Sequence, residues 1–229
     1  MDAESNLRSD FRLIETMRFD GLAVPLLARH MARMRRSAQH FDFPFAAERM
    51  HATVQAAVVD LSPHRCWKVR LTLARDGMMR VETAPLPDIP PEGPRRLMLS
   101  SVRIDPDNVF RRHKTTRRDV YKRAQREAEA AGVDEAILMN TRGEVTETTW
   151  STILVQVADR YLTPPVASGA LPGVYRDHLL DTQETVEEAV LHPEDLHRAD
   201  GLFCCNAVRG WRPAEWAESV SAPGASPEA

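Results

Sequence analysis

The stretch Thr163-Pro164-Pro165-Val166-Ala167-Ser168-Gly169-Ala170-Leu171-Pro172-Gly173-Val174-Tyr175-Arg176 sets three prolines and two glycines directly ahead of a helical pattern that starts near Gly173. A turn that runs straight into a helix points the unpaired N–H groups of the first turn at one spot. Together with the positive end of the helix dipole they make a ready phosphate site. Loop-to-helix junctions are common and most bind nothing, so this stretch needs company.

Working outward, Tyr161 to Thr163 reads as a short strand, Glu135 to Asn140 and Thr152 to Val157 as two more, and Thr185 to Val190 and Leu202 to Val208 as a further pair. Between them, Asn140 to Leu154 (NTRGEVTETTWSTIL) places Glu147 after a Gly143 turn and before a strand. A lone acid at a strand start is usually exposed. Upstream, Arg96 to Val102 predicts a strand and Thr115 to Ala131 a long helix ending at Gly132. Pro85, Pro87, Pro90, Pro91 and Pro94 form the best interdomain linker. Before it, Pro25 suits the first position of a helix that carries apolar residues at helical spacing from Leu26 to Phe41. A second amphipathic stretch covers Ala46 to Val59. Trp67, Val69, Leu71 and Leu73 alternate as a half-buried strand, and Asp76-Gly77 predicts a two-residue hairpin to Met78–Thr83. The expected fold class is α+β in two lobes: a small α/β lobe over residues 1–89 and a larger one over 90–229, with a disordered Ser-, Ala-, Pro- and Glu-rich tail from about residue 217.

The 229 residues, 43% hydrophobic and 28% charged, describe an ordinary globular protein. No apolar run approaches a membrane span, and the polar first ten residues lack a signal-peptide pattern, so the cytoplasm is the expected compartment. A net charge of −3 makes no case for nucleic acid. Cys66, Cys204 and Cys205 form no C-x-x-C pair and read as packed thiols, and the eight histidines show no zinc-like spacing, so no metal is expected.

Of the 30 basic residues only Lys68, Lys114 and Lys122 are lysines. Lys68 alternates against apolar neighbours and is expected to point to solvent, and Lys122 lies on the solvated face of an Arg-rich helix. Lys114 falls where the long helix is expected to begin. The helix dipole and Arg111, Arg112, Arg117 and Arg118 would lower its pKa, which suits an amine that must form an imine. Tyr121, seven residues on, would share its helical angle.

Taken together these segments resemble the fold-type IV, or class IV aminotransferase, family of pyridoxal-5′-phosphate (PLP) enzymes. That group holds branched-chain and D-amino acid aminotransferases and 4-amino-4-deoxychorismate lyases. The likeness rests on Glu147, Thr163 and Leu171-Pro172-Gly173-Val174-Tyr175-Arg176. It also rests on Ile14-Glu15-Thr16-Met17-Arg18, His30-x-x-Arg33-Met34-x-x-Ser37-Ala38, His113-Lys114-Thr115-Thr116 and Cys205-Asn206-Ala207-Val208-Arg209-Gly210-Trp211. They come in the family's order across roughly residues 11 to 211.

The resemblance implies a D-amino acid aminotransferase-like fold, a PLP cofactor bound to Lys114, and Lys114 as general acid/base. It implies Glu147 at the pyridine nitrogen, Arg33 with the Gly173 and Val174 amides on the phosphate, and Tyr121 against the ring or the lysine. Ala207 falls where many members use a hydroxyl on the phosphate, and Arg209 and Thr16 are substrate-binding candidates, Arg209 equally suited to a surface salt bridge. Thr152 and Leu154 depart from the pattern after the glutamate. The implied activity is conversion of 4-amino-4-deoxychorismate to 4-aminobenzoate and pyruvate, a step of folate biosynthesis. The alternatives are a class IV amino acid aminotransferase and a non-catalytic homologue acting as a binding module. The substrate would be a small amine bearing carboxylates, and the family implies a homodimer.

Overall fold

A computed structural model of the chain describes residues 11–87 and 93–217. The expected lobe boundary near residue 89 and nearly all of the expected tail lie outside the described residues.

The first lobe is a three-stranded antiparallel sheet in the order β1 (Leu13–Phe19), β2 (Trp67–Leu73), β3 (Met79–Pro85), covered by helices α1 (Leu27–Phe41) and α2 (Ala47–Val58). Alternation decides which face meets the helices. Leu13, Met17 and Phe19 of β1 and Val69, Leu71 and Leu73 of β2 bury against Met34, Ala38, Phe41, Met50 and Val54. The even positions therefore line the opposite face, with Thr16 directly across from Arg70 and Arg18 across from Lys68.

Two sequence expectations shift by a residue or two. α1 begins at Leu27 rather than at Pro25, because Leu26 takes a left-handed backbone (φ 59°) that a right-handed helix cannot include. The β2–β3 loop has three residues, not two. The Gly77 N–H closes a turn on the Ala74 carbonyl, and Ala74 then pairs with Met78, a geometry that needs the left-handed Gly77 (φ 81°).

The second lobe is an eight-stranded mixed sheet whose order is β6-β5-β4-β11-β10-β7-β8-β9. In chain order these are β4 (Arg95–Ile104), β5 (Glu135–Asn140), β6 (Val145–Thr148), β7 (Thr152–Val157), β8 (Arg160–Thr163), β9 (Val186–Glu188), β10 (Gly201–Asn206) and β11 (Gly210–Trp216). β6 is an edge strand, separated from β7 by four other strands, yet only residues 149–151 join them. The sheet must curl to allow this, and the Thr148 N–H bonds to the Ser151 carbonyl at 2.9 Å across the join. Helix α3 (Asp119–Ala130) covers β4 and β5, helix α4 (Val174–Thr182) packs on β10, and α5 (Pro193–His197) is one short turn.

Sequence reading missed β1, β6, α5 and β11, and ran the last expected strand to Val208. β10 instead stops at Asn206, whose side chain accepts the Val208 and Arg209 amides and so turns the chain back.

The larger correction concerns α3, which starts at Asp119 and not at Thr115. Thr115 bridges Leu13, the Ile14 N–H bonds to the Lys114 carbonyl, and the Thr116 N–H bonds to the Arg12 carbonyl, each at 2.9 Å. Pairing with the start of β1 holds this segment extended. Lys114 is therefore not at a helix entrance, and the dipole argument for its pKa does not apply.

Candidate active site

A cleft of about 570 Å³ opens between the two sheets. The open face of the first sheet lends it Ile14, Thr16, Lys68 and Arg70, and the second lobe lends it Lys114, Glu147, Gly173 and Ala207. The curl of the large sheet brings Glu147 of β6 and the Thr152 end of β7 to the same hollow.

Lys114 stands between the lobes. Its backbone is clamped by β1, and its neighbour His113 is held to α1 by a 2.9 Å contact with the Ser37 hydroxyl and by stacking on His40. The surrounding protein desolvates the amine, and Arg33 and then Arg118 add positive charge. Against the opposite pull of Glu15 and Glu147, its pKa falls to about 7 from 10.5. The lowered value was expected, but burial is its main cause. Of the four arginines invoked from sequence only Arg118 is among the causes.

Glu147 is buried, which raises its carboxyl above the ordinary range. A hydrogen bond from Tyr121 and the charges of Arg111, Arg118 and Lys114 oppose that rise. Tyr121 Oη donates to Glu147 Oε1 at 2.6 Å. Tyr121 reaches the same cleft as Lys114, as expected, but not through a shared helical angle: Lys114 lies outside the helix, and the phenol engages the carboxylate. Arg118 lies over the Tyr121 ring at 4.4 Å and over Trp150 at 4.8 Å, and donates to the Thr149 carbonyl at 2.7 Å.

Arg33 reaches across from α1. Its Nη1 donates to the Pro172 carbonyl at 3.0 Å, while Nε and Nη2 donate to the two oxygens of Glu15 at 2.9 and 2.6 Å. Beside Pro172, Gly173 caps α4, so the Gly173 and Val174 amides have no partner within the helix. A Cβ added at Gly173 would lie 3.0 Å from Thr152 Oγ1 and 3.4 Å from the Arg176 Cβ. Glycine keeps this cradle open. Arg176, by contrast, turns inward, donating to the Pro164 carbonyl at 2.9 Å and bonding Glu188.

Thr16, Ala207 and Arg209 also line the cleft, and Arg209 makes no ion pair among the described residues. Lys68 points away from the core and is solvent-exposed as expected, and that face is also a wall of the cleft. Sequence reasoning assigned no role to Glu15, His30, Lys68, Arg70 or Trp150. Their only signal was position: even strand residues beside Thr16, and the acid within the Ile14–Arg18 segment.

A lysine of weakened basicity, a buried carboxylate and an anion cradle beside a deeply held arginine define a site fitted to PLP. The chain belongs to the class IV aminotransferase family, whose model, described as amino-transferase class IV, matches residues 12–215. It is 27% identical over 206 residues to a provisionally named aminodeoxychorismate lyase of Schizosaccharomyces pombe, covering 86% of each chain. Among solved structures it resembles a provisionally named amino-acid aminotransferase of Mesorhizobium loti, with TM-score 0.85 and 34% identity over 91% of this chain and 100% of that one. An aminotransferase of Brucella abortus solved with PLP bound shares the fold, at TM-score 0.79 and 22% identity over 90% of this chain and 80% of that one. The family's members are PLP-dependent enzymes, and PLP is the cofactor of this chain. No helix among the described residues is long and apolar enough to cross a membrane.

Proposed function

We propose that this enzyme converts 4-amino-4-deoxychorismate to 4-aminobenzoate and pyruvate. The observation that carries the reading is the charge of the cleft wall. Lys68, Arg70, Arg118 and Arg209 all line the hollow around Lys114, and Arg70 is close enough to Arg118 to weigh on its titration. Like charges gathered in one cleft favour an anionic occupant, and a substrate with two carboxylates satisfies more of them than one with a single carboxylate. The likeness to the Schizosaccharomyces pombe relative supports the same reading.

In this reading Arg33 and the Gly173 and Val174 amides hold the phosphate, and Glu147 faces the ring nitrogen with Tyr121 behind it. Ala207 closes the phosphate end without donating a hydroxyl. The bound cofactor supplies an electron sink for charge developing at the carbon that bears the substrate amine. Lys114 takes the proton from that carbon, a task that suits an amine half-deprotonated near neutral pH. Thr16 and Arg209 orient the substrate. The working unit is a homodimer, and its compartment is the cytoplasm.

A class IV amino acid aminotransferase is the second reading, favoured by the 34% identity to the Mesorhizobium loti protein. Incubation with aminodeoxychorismate, with pyruvate and 4-aminobenzoate measured together, tests the first. Equal yields of the two products support the lyase; none, alongside amino exchange between an amino acid and a keto acid, overturns it.

A further inference from the structure

Glu15 and His30 are buried, ionisable and unused by the chemistry above. Glu15 points from β1 to the helix side, away from the cleft, yet both its oxygens are spent on Arg33 Nε and Nη2. His30, one turn earlier on α1 and fully buried, contacts Glu15 Oε2 through Nδ1 at 2.6 Å. A carboxylate oxygen can only accept, so Nδ1 carries the hydrogen. Burial keeps the ring neutral, and its Nε2 is left without a partner.

Counting donors shows what this arrangement does. A guanidinium has five N–H bonds. Two go to Glu15 and one to the Pro172 carbonyl, which leaves one on each terminal nitrogen of Arg33, beside the Gly173 cradle. An acid placed there weakens the local positive potential, so it does not serve anion binding through charge. Its effect is geometric: a paired fork cannot rotate on its flexible stem, and the two remaining donors stay aimed.

We infer that Glu15, itself fixed by His30, is a positioning residue that presets Arg33 for the cofactor phosphate. The inference rests on the reading that Arg33 holds that phosphate. Replacing the acid by an amide would set an N–H donor against an Arg33 N–H and release the fork. His30 acts one step further back, holding the oxygen that Nη2 uses.

The test compares PLP with pyridoxal, which keeps the aldehyde and ring but lacks the phosphate, each titrated into full-length apoprotein by absorbance. Arg33→Ala should lower affinity for PLP and leave pyridoxal within about twofold. Glu15→Gln should lower PLP affinity by roughly 10- to 100-fold, the range for losing charged hydrogen bonds, again sparing pyridoxal. The double variant should lose no more than Arg33→Ala alone. His30→Asn, which retains a donor near the Nδ1 position, should stay near wild type, and His30→Leu should lose PLP affinity several-fold. If Glu15→Gln does not fold, the His30 pair decides. An unchanged PLP-to-pyridoxal ratio in Glu15→Gln or His30→Leu, with Arg33→Ala impaired, overturns the inference. An unchanged ratio in Arg33→Ala overturns the phosphate reading beneath it.

Discussion

Tyr121 donates its hydroxyl hydrogen to Glu147 across 2.6 Å, and its ring lies under the guanidinium groups of Arg118 at 4.4 Å and Arg111 at 5.0 Å. Burial and the neighbouring carboxylate keep the phenol protonated well above its ordinary range. Glu147 thus meets the cleft with one oxygen fixed and its charge supported. In the proposed reading, where Glu147 keeps a ring nitrogen protonated, it needs both.

Removing that hydroxyl tests the arrangement. Tyr121→Phe leaves Glu147 buried with one hydrogen bond fewer, a loss of about 1.5–3 kcal/mol for a charged acceptor. Turnover should fall at least tenfold, and the visible spectrum of bound PLP should shift because loss of the Tyr121 hydrogen bond raises the Glu147 carboxyl further and weakens its hold on the anionic form. The same spectrum and turnover in the variant would mean that Tyr121 does not act on Glu147.

Lys114 should react as an amine of pKa about 7 rather than 10.5. The rate of PLP uptake by apoprotein should therefore rise through pH 7 and level off above 8. Arg118→Met removes one of the causes and should move that rise to higher pH. In Lys114→Ala, borohydride should fix no cofactor, and turnover should drop by about 10²–10⁴ or more. A wild-type profile still climbing at pH 9 would exclude the desolvated amine.

The cleft wall makes a prediction about substrates. Lys68→Met and Arg70→Met should each raise KM for aminodeoxychorismate by roughly tenfold or more, one charged contact being worth about 1.5–3 kcal/mol. Amino acids with a single carboxylate should respond less. Steady-state kinetics on both substrate types measures the difference, and an equal response would remove dicarboxylate selection from the case.

Lys114 and Gly173 had a signal of their own in the sequence, because few lysines compete for the role and because Gly and Pro punctuate a loop-to-helix junction wherever it folds; Arg33 and Glu147 were singled out only through the family resemblance, and all four line one cleft. The helix start at Thr115 was misread because Arg12 to Ile14, a hundred residues away, decides it by pairing with Lys114 to Thr116. Local pattern carries no trace of such a partner. Strand alternation put Lys68 away from the core correctly, and the same alternation carries Arg70 to that face. It could not say that this face lines one cleft with residues of the second lobe. Glu15 sits in phase with Leu13 and Met17, an acid on a buried face, and only α1 supplies the cations that make this tolerable.

That buried acid leads to a stability prediction with a definite sign. Burial alone would raise the Glu15 carboxyl, but Arg33 and the His30 hydrogen bond outweigh it and hold the pKa at about 2 against 4.5. The folded chain therefore binds this proton less readily than the unfolded chain. The stabilisation is complete above pH 4.5, about 3 kcal/mol, and is lost as pH falls toward 2. Glu15→Gln should lower stability at pH 7 by about 3–5 kcal/mol, since it leaves the Arg33 charge buried without its counter-ion. The variant should also lose part of the acid slope between pH 4.5 and 2. Urea midpoints at pH 7, 4 and 3 measure both effects. Wild type and variant falling in parallel through that window would show that the acid sensitivity comes from other carboxylates.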